Sequence, residues 1–428
     1  MNYKILLQGS FGNFISRFFL FFITFTLLHP PSFGSELQPN INNKNAIANL
    51  VLVYSDETLT LPLIGFSETI QGAVNLASDG HVLVVFPGTY TEDIVINKNI
   101  ELRGANVGID GNSGSRVLES IISDGNISIL GSNTVIIDGF HIFQTNTVTP
   151  ISLGGESEVT IQNNIIERFG NTTGSTVRGI EISNGNGIRN ILNNKFTGDV
   201  SGGLFSGHKT WNSGIFLNGP LGVINIEDNL FENCRTAINI DDMGSGISLS
   251  GNTFQNSGTY LAFGGTSPTS GSFALGANEY KALISTFVNL SNVTADFRLD
   301  ISAGTYNGIA FNALPLATLF GIESTMFHRT RGNRNGLVYY VPSNQYLLNS
   351  VNSNIQTAID YAALDDIINV QEGTYTQNPI INKSIELRGA NFGINPNTGT
   401  RVAESILSGT FSLRSSGINI DGFKVTGT

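Results

Sequence analysis

The chain has 428 residues, with 22 Lys+Arg against 33 Asp+Glu and a net charge of −11. That balance disfavours nucleic-acid binding, which needs a basic surface, and the length allows two or three domains. Only 13 % of residues are charged. Gly, Asn, Ser and Thr carry the polarity instead, which suits turn-rich β structure more than helix. Cys234 is the only cysteine, so no intrachain disulfide can form.

The first predicted element is removable. Lys4 and Arg17 precede an apolar run of eleven, Phe18–Leu28, and small residues follow at Ser32, Gly34 and Ser35. This is the order of a secretory signal peptide over residues 1–34. The run is shorter than the roughly 20 residues of a membrane span. A secreted or cell-surface location is expected, with no span left once the signal is removed. Residues 35–66 read as a linker or short extension.

At 67–77 the sequence SETIQGAVNLA places Ile70, Ala73, Val74 and Ala77 on one helical face. A short helix of this kind can cap the open end of a sheet. Ser67 is its expected N-cap. The stretch then reads GTYTEDIVINKNIELRGAN to residue 106. Much of it recurs 285 residues later, where INKSIELRGAN spans 381–391 and SNIQTAIDYA spans 353–362, with Ser353 as the matching cap. SRVLESII is likewise echoed by TRVAESIL. One module is therefore present twice, with copy 1 at 67–263 and an incomplete copy 2 at 351–428. The expectation is a piece of a longer multi-repeat chain.

A finer period runs inside copy 1. NNIIERFG, NNKFTGD, DNLFENC and GNTFQNS are headed by Asn164, Asn194, Asn229 and Asn252, at steps of 30, 35 and 23 residues. Ile166, Phe196, Phe231 and Phe254 sit two residues later. Short strands with alternating apolar residues accompany each unit, such as RGIEIS, SGIFLN, TAINID and VINIEDN. Period-two alternation buries one face, and repeats of 20–50 residues mean a solenoid or propeller. A propeller blade needs four antiparallel strands joined by hairpin turns, and no WD or kelch signature is visible. The fold class expected is all-β: a right-handed parallel β-helix with an N-terminal capping helix, repeated as a truncated second copy after an α+β spacer at 264–350. Stacked coils should pile Ile151, Ile180, Ile215 and Ile238 in one inward column. Leu153, Ile182, Leu217 and Ile240 form the next, and the Phe residues a third. The Asn column should serve turns, in the left-handed conformation and with hydrogen bonds between neighbours.

The run TIQGAVNLASDGHVLVVFPGTYTEDIVINKNIELRGA resembles the opening of the pectate-lyase-like, right-handed parallel β-helix superfamily. The resemblance covers about residues 67–263 and 351–428. It implies the fold, and a range of roles from pectin-degrading enzymes to repeat-rich bacterial surface proteins. The enzyme motifs are not met. Pectin methylesterases share GTYTE, but their QAVAL, QDTL, DFIFG and RPW segments are missing. Of the polygalacturonase set NTD, DD, GHG and RIK, only Asp241–Asp242 occurs. The calcium of pectate lyases needs a carboxylate cluster, and no dense one is visible, so no cofactor is expected, with calcium kept as the alternative. No catalytic residue can be carried over.

A binding site would lie on the outer face of RGIEIS, SGIFLN and TAINID. Ser152, Glu181, Phe216 and Asn239 should point outward in one column, with Ser183, Asn218 and Asp241 in the adjacent lane. The longest turn, 198–212, carries His208, Lys209 and the only tryptophan, Trp211. The substrate-binding set is therefore Glu181, His208, Lys209, Trp211, Phe216, Asn239 and Asp241. Phe216 and Trp211 are offered as sugar-stacking rings; packing on the helix wall is the plainer alternative for Trp211. Glu181 and Asp241 sit two coils and one lane apart, about 12 Å, beyond the roughly 5–9.5 Å of glycosidase pairs. The basic run at His328, Arg329, Arg331 and Arg334 reads as a solvated loop, or more sharply as an anionic-glycan contact. The reading that follows is a non-catalytic adhesive, glycan-binding or scaffolding protein whose partner is a polysaccharide or cell-surface glycan. The alternative is a lyase or hydrolase acting on an acidic glycan such as pectin.

Overall fold

The computed structural model describes residues 49–427, apart from 56–58, 60–62, 171–176, 201–209, 243–245, 265–270, 282–284, 294–295, 330–335 and 351–353. Residues 1–34, expected as a signal peptide, lie outside the described residues. No helix among the described residues is long and apolar enough to cross a membrane.

The fold is a right-handed parallel β-helix. Its described strands form three long sheets, each built from one strand per coil, and four shorter ones. Sheet A runs through Ile100–Arg103, Thr134–Asp138, Glu158–Gln162, Arg189–Leu192, Val223–Glu227 and Gly246–Ser250. Sheet B includes Ile165–Arg168, Lys195–Gly198, Leu230–Glu232 and Thr253–Gln255. Sheet C includes Ile151–Leu153, Arg178–Gly185, Ser213–Leu221, Thr236–Ile240 and Thr259–Phe263. The registers match the alternation in the sequence. Ile151 pairs with Ile180, Ile180 with Ile215 and Ile215 with Ile238, while Leu153, Ile182, Leu217 and Ile240 form the next inward column. All eight are buried. Phe196, Phe231 and Phe254 stack face to face, with centroids 4.7 and 5.3 Å apart, close to the coil spacing itself.

The asparagine column is a buried hydrogen-bond ladder. Asn194 donates through Nδ2 to the Ile161 carbonyl and to Asn229 Oδ1, while its Oδ1 accepts from the backbone N–H and Nδ2 of Asn164. Asn229 and Asn252 repeat the pattern. The left-handed conformation belongs to the residue before each ladder position: Asn163, Asn193, Asp228 and Gly251 have φ of 55–68°. The work is therefore divided between two adjacent residues, one turning the chain and one satisfying its buried amides.

The ladder does not stop at residue 263. Asn252 donates to Asn278, which donates to the Leu249 carbonyl, and Tyr280 stacks on Phe254 at 5.3 Å. Glu279–Lys281 and Thr286–Asn289 extend sheets B and C, and Met326–Phe327 follows in sheet C. The 264–350 segment does mix strand and helix, with α2 placed below at Leu316–Glu323. Its coils nevertheless stack on copy 1, and one buried core runs through to Tyr346. Longer turns between strands hid this period.

The N-terminal end is closed by β1 (Val51–Tyr54) and β2 (Leu63–Ser67), an antiparallel pair set on β3 (His81–Val85). Part of the 35–66 stretch read as linker is thus strand. Helix α1 (Ile70–Leu76) buries Ile70, Ala73 and Val74 against this end. Its N-cap is Thr69, whose hydroxyl accepts from Gly72 N, rather than Ser67. In copy 2 the matching helix α3 (Ile355–Tyr361) is capped by Asn354 rather than Ser353. Helix α2 (Leu316–Glu323) belongs to the intervening segment.

The repeated words INK-IELRGAN and R-V-ES have a structural explanation. Lys98 donates to the Val74, Asn75 and Ala77 carbonyls at the end of α1, and Lys383 does the same for Asp360 and Ala362. Asn106 and Asn391 each accept from a backbone N–H eleven residues on, Val117 and Val402. Arg116–Glu119 and Arg401–Glu404 form ion pairs of 2.8 and 2.7 Å. Ser120 and Ser405 bridge the Val85 and Val370 carbonyls to the N–H groups of Ala105 and Ala390. Gly104 and Gly389 lie where a Cβ would come within 2.5 Å of the next coil's carbonyl oxygen. The echo preserves one clamp used twice.

Candidate functional site

The outer face of sheet C is built by the strands that fill the inward Ile and Leu columns. The register sets Ser128, Ser152, Glu181, Phe216, Asn239, Ala262 and Asn289 side by side. Ser183 pairs with Asn218 in the next lane. Asp241 enters that lane through its N–H bond to the Leu217 carbonyl.

Glu181 on this face is paired with an arginine. Arg178 Nη1 lies 2.5 Å from Glu181 Oε1, and its guanidinium carbon sits 3.5 Å from the centre of the Phe216 ring. The guanidinium thus covers the ring, leaving Phe216 only 5 % exposed. The expectation that Phe216 offers a free face to a sugar is corrected: an arginine occupies that face.

Trp211 also departs from expectation. It is fully buried, and its Nε1 donates to the Ile166 carbonyl. Its own carbonyl accepts from Arg235 N in the next coil, so residue 211 already belongs to the stacked wall. Its ring fills core volume beside Arg168. His208 and Lys209 lie outside the described residues. Asn239 and Asp241 are half-buried; burial raises the Asp241 pKa and Arg178 pulls it back in part. A Cβ at Gly264 would lie 2.8 Å from Asp241 Oδ1, so the glycine leaves room for the carboxyl.

The sequence reading missed the depression beside this column. Ser128, Ser152 and Ser183, with Gly131, Gly154, Gly155 and Leu130, line an open groove of about 330 Å³. Asn126 orders its serines, hydrogen-bonding to Ser128 Oγ and donating to Ser152 Oγ at 3.1 Å. Leu130 is 52 % exposed, giving an apolar contact among the hydroxyls. Beneath the rim lies Arg189, in the sheet A column otherwise held by Val135, Val159, Ile224 and Ile247. It is buried, donates from Nη2 to the Gly155 and Gly154 carbonyls, and has no partner at Nε among the described residues. Burial lowers its pKa and Glu156 opposes that. An arginine in an aliphatic column of the GIRNILNN unit was the available signal.

On sheet B, His141 pairs with Glu167 at 2.8 Å and Lys195 with Glu232 at 2.7 Å, with Gln255 donating to Glu232. The His141 hydrogen bond holds Glu167 below the usual carboxylate range. At Glu232 burial opposes ionisation, but Lys195, Gln255 and Thr197 outweigh it. Burial pushes the Cys234 thiol pKa far up, which suits a wall residue rather than a nucleophile. His328 is bonded to Glu323, and Arg329 to the Val293 carbonyl; Arg331 and Arg334 lie outside the described residues.

No family model matches the chain. A cell surface glycoprotein of Methanothermus fervidus is 28 % identical over 117 residues, which is 27 % of this chain and 15 % of that protein. The match thus spans a small part of that relative. Among solved structures, a mutant of the PL6 family alginate lyase AlyGC aligns over 83 % of this chain and 72 % of its own. The identity is 12 % and the TM-score 0.21, so this likeness carries no argument about the site.

Proposed function

We propose that this chain is an exported, cell-surface β-helix protein of the pectate-lyase-like kind that binds glycan without cleaving it. The observation that carries the reading is the character of sheet C's outer face. Its groove offers ordered serine hydroxyls, glycine backbone and one exposed leucine, the mix that neutral sugar rings meet with hydrogen bonds and apolar contact. Its one glutamate is paired with Arg178. The likeness to a cell surface glycoprotein supports the location. Adhesion or scaffolding at the surface follows from such binding. The binding needs no metal.

The test is equilibrium binding of an oligosaccharide panel, with Ser152→Trp to fill the groove. Binding lost in Ser152→Trp, and kept in a substitution of exposed Leu364 in copy 2, supports the site. Unchanged binding in Ser152→Trp refutes it. Asp241 favours a second reading, a lyase or hydrolase acting on an acidic glycan. Its raised pKa beside Arg178 is the one arrangement on this face that resembles acid–base chemistry.

A further inference from the structure

The triplet Asn-x-Ser/Thr, the acceptor sequence for N-linked sugar, occurs at Asn126, Asn171, Asn289, Asn292 and Asn382. The triplets at 126, 289 and 382 are wholly described, and their geometry separates them. Asn126-Ile127-Ser128 spends its side-chain amide on the fold: Nδ2 donates to the Thr149 carbonyl at 2.6 Å and to Ser152 Oγ at 3.1 Å. A sugar there would break both bonds in a partly buried site. Asn382-Lys383-Ser384 spends its hydroxyl instead. Ser384 Oγ bonds to Asp365 Oδ1 at 2.5 Å and to the Gly417 carbonyl at 3.1 Å, so it is committed away from its own asparagine.

Asn289-Leu290-Ser291 differs. Asn289 closes the strand Thr286–Asn289, and its Oδ1 accepts from Ser291 N at 2.9 Å and Ser291 Oγ at 2.6 Å. The acceptor amide and the hydroxyl two residues on are therefore already in contact. Val288 and Leu290 are fully buried on either side and fix the turn, while Ser291 is exposed. Asn289 Nδ2 has no partner among the described residues. The next strand places Phe327 in register with Asn289, and this ring is 49 % exposed on the same face. An exposed aromatic beside polar groups is a surface on which a sugar ring can rest.

We propose that Asn289 carries an N-linked glycan whose first sugar lies over Phe327. The step joins Asn289 Nδ2 to the anomeric carbon of a sugar delivered on a lipid-linked phosphate donor. The amide's N–H proton is released to solvent, and the donor's anomeric C–O bond breaks with its electron pair leaving on the lipid phosphate. The inference rests on the export part of the proposed function, because such transfer takes place on exported chains. The attached glycan would stand at one end of the column that contains Glu181, Phe216 and Asn239.

The experiment is glycopeptide mass spectrometry on the full chain, expressed in the organism it comes from and recovered from the cell-surface fraction. Trypsin cuts after Lys281 and Arg298, releasing 282–298 with Asn289 and Asn292 together. Fragmentation that preserves the linkage then locates the sugar. The expected result is a glycan mass on Asn289, absent in Asn289→Gln, with Asn126 and Asn382 unmodified. A glycan that persists on the peptide in Asn289→Gln, or one found on Asn126 or Asn382, overturns the assignment. An unmodified Asn289 on exported chain overturns this inference alone, whereas a chain found only inside the cell overturns export as well.

Discussion

Replacing Asn194 with alanine tests the ladder where it is continuous on both sides. The side chain is fully buried. Its removal strips the acceptor from the Asn164 backbone N–H, 3.0 Å away, and the donor from the Ile161 carbonyl, 2.8 Å away. Asn164 Nδ2 keeps the Ile137 carbonyl and Asn229 Oδ1 keeps the Asn194 backbone N–H, so those losses are partial. The Asn164 backbone N–H left without a partner costs about 1–3 kcal/mol, and the Ile161 carbonyl, which stays paired with the next coil in sheet A, adds a smaller loss. Solenoids need not unfold in one step, so the quantity to compare is the urea midpoint of the transition followed by circular dichroism. Asn194→Asp supplies a second reading. At neutral pH its carboxylate faces the Ile161 carbonyl and Asn229 Oδ1, so the variant is at least as unstable as alanine. Acidification restores a donor and part of the loss. A midpoint shift worth less than about 1 kcal/mol in Asn194→Ala, or no pH dependence in Asn194→Asp, would refute the ladder's energetic role.

Trp211→Ala removes a fully buried ring and its hydrogen bond, so it should destabilise the fold by about 3–5 kcal/mol. A normal melting curve would show that the tryptophan lies outside the core. The pKa of Glu167 is depressed by His141, so the pair's stabilisation is full above the ordinary carboxylate range and is lost as pH falls through the depressed value. Glu167→Gln should therefore flatten the acid limb of the stability–pH curve, and superimposable limbs would count against the pairing. Chelation with EDTA should leave glycan binding unchanged, because the proposed groove holds by hydroxyls, backbone and the Leu130 side chain; loss of binding on chelation would require a metal there.

The solenoid was legible because its rules are local. A side chain's face follows from parity along a strand, and the spacing of Asn164, Asn194, Asn229 and Asn252 marks one turn per coil. The same signal continued at Asn278-Glu279-Tyr280, an Asn followed two residues later by an aromatic ring. It went unread because the preceding Ala-Leu-Gly-Ala lacks the paired polar residues of the other units. The site was less legible, since exposure depends on what an outward side chain meets across coils. Parity placed Phe216 outside correctly, but Arg178, three residues before Glu181 in the neighbouring strand, folds over the ring. Trp211 lies far from the strand pattern, which points to a turn, whereas its backbone bonds to Arg235 in the next coil. The groove depends on glycines and serines brought together from three coils, residue types common throughout the sequence.

The most direct test of the central claim sets binding against turnover in one experiment. The purified full chain is incubated with a panel of neutral and acidic polysaccharides. Retention on immobilised glycan, new reducing ends and the ultraviolet absorbance of unsaturated sugars are followed together. The account predicts saturable retention that is lost in Ser152→Trp, with neither product signal rising above that of buffer. Products that accumulate with the wild-type chain and vanish in Glu181→Gln or Asp241→Asn would contradict it and establish an enzyme.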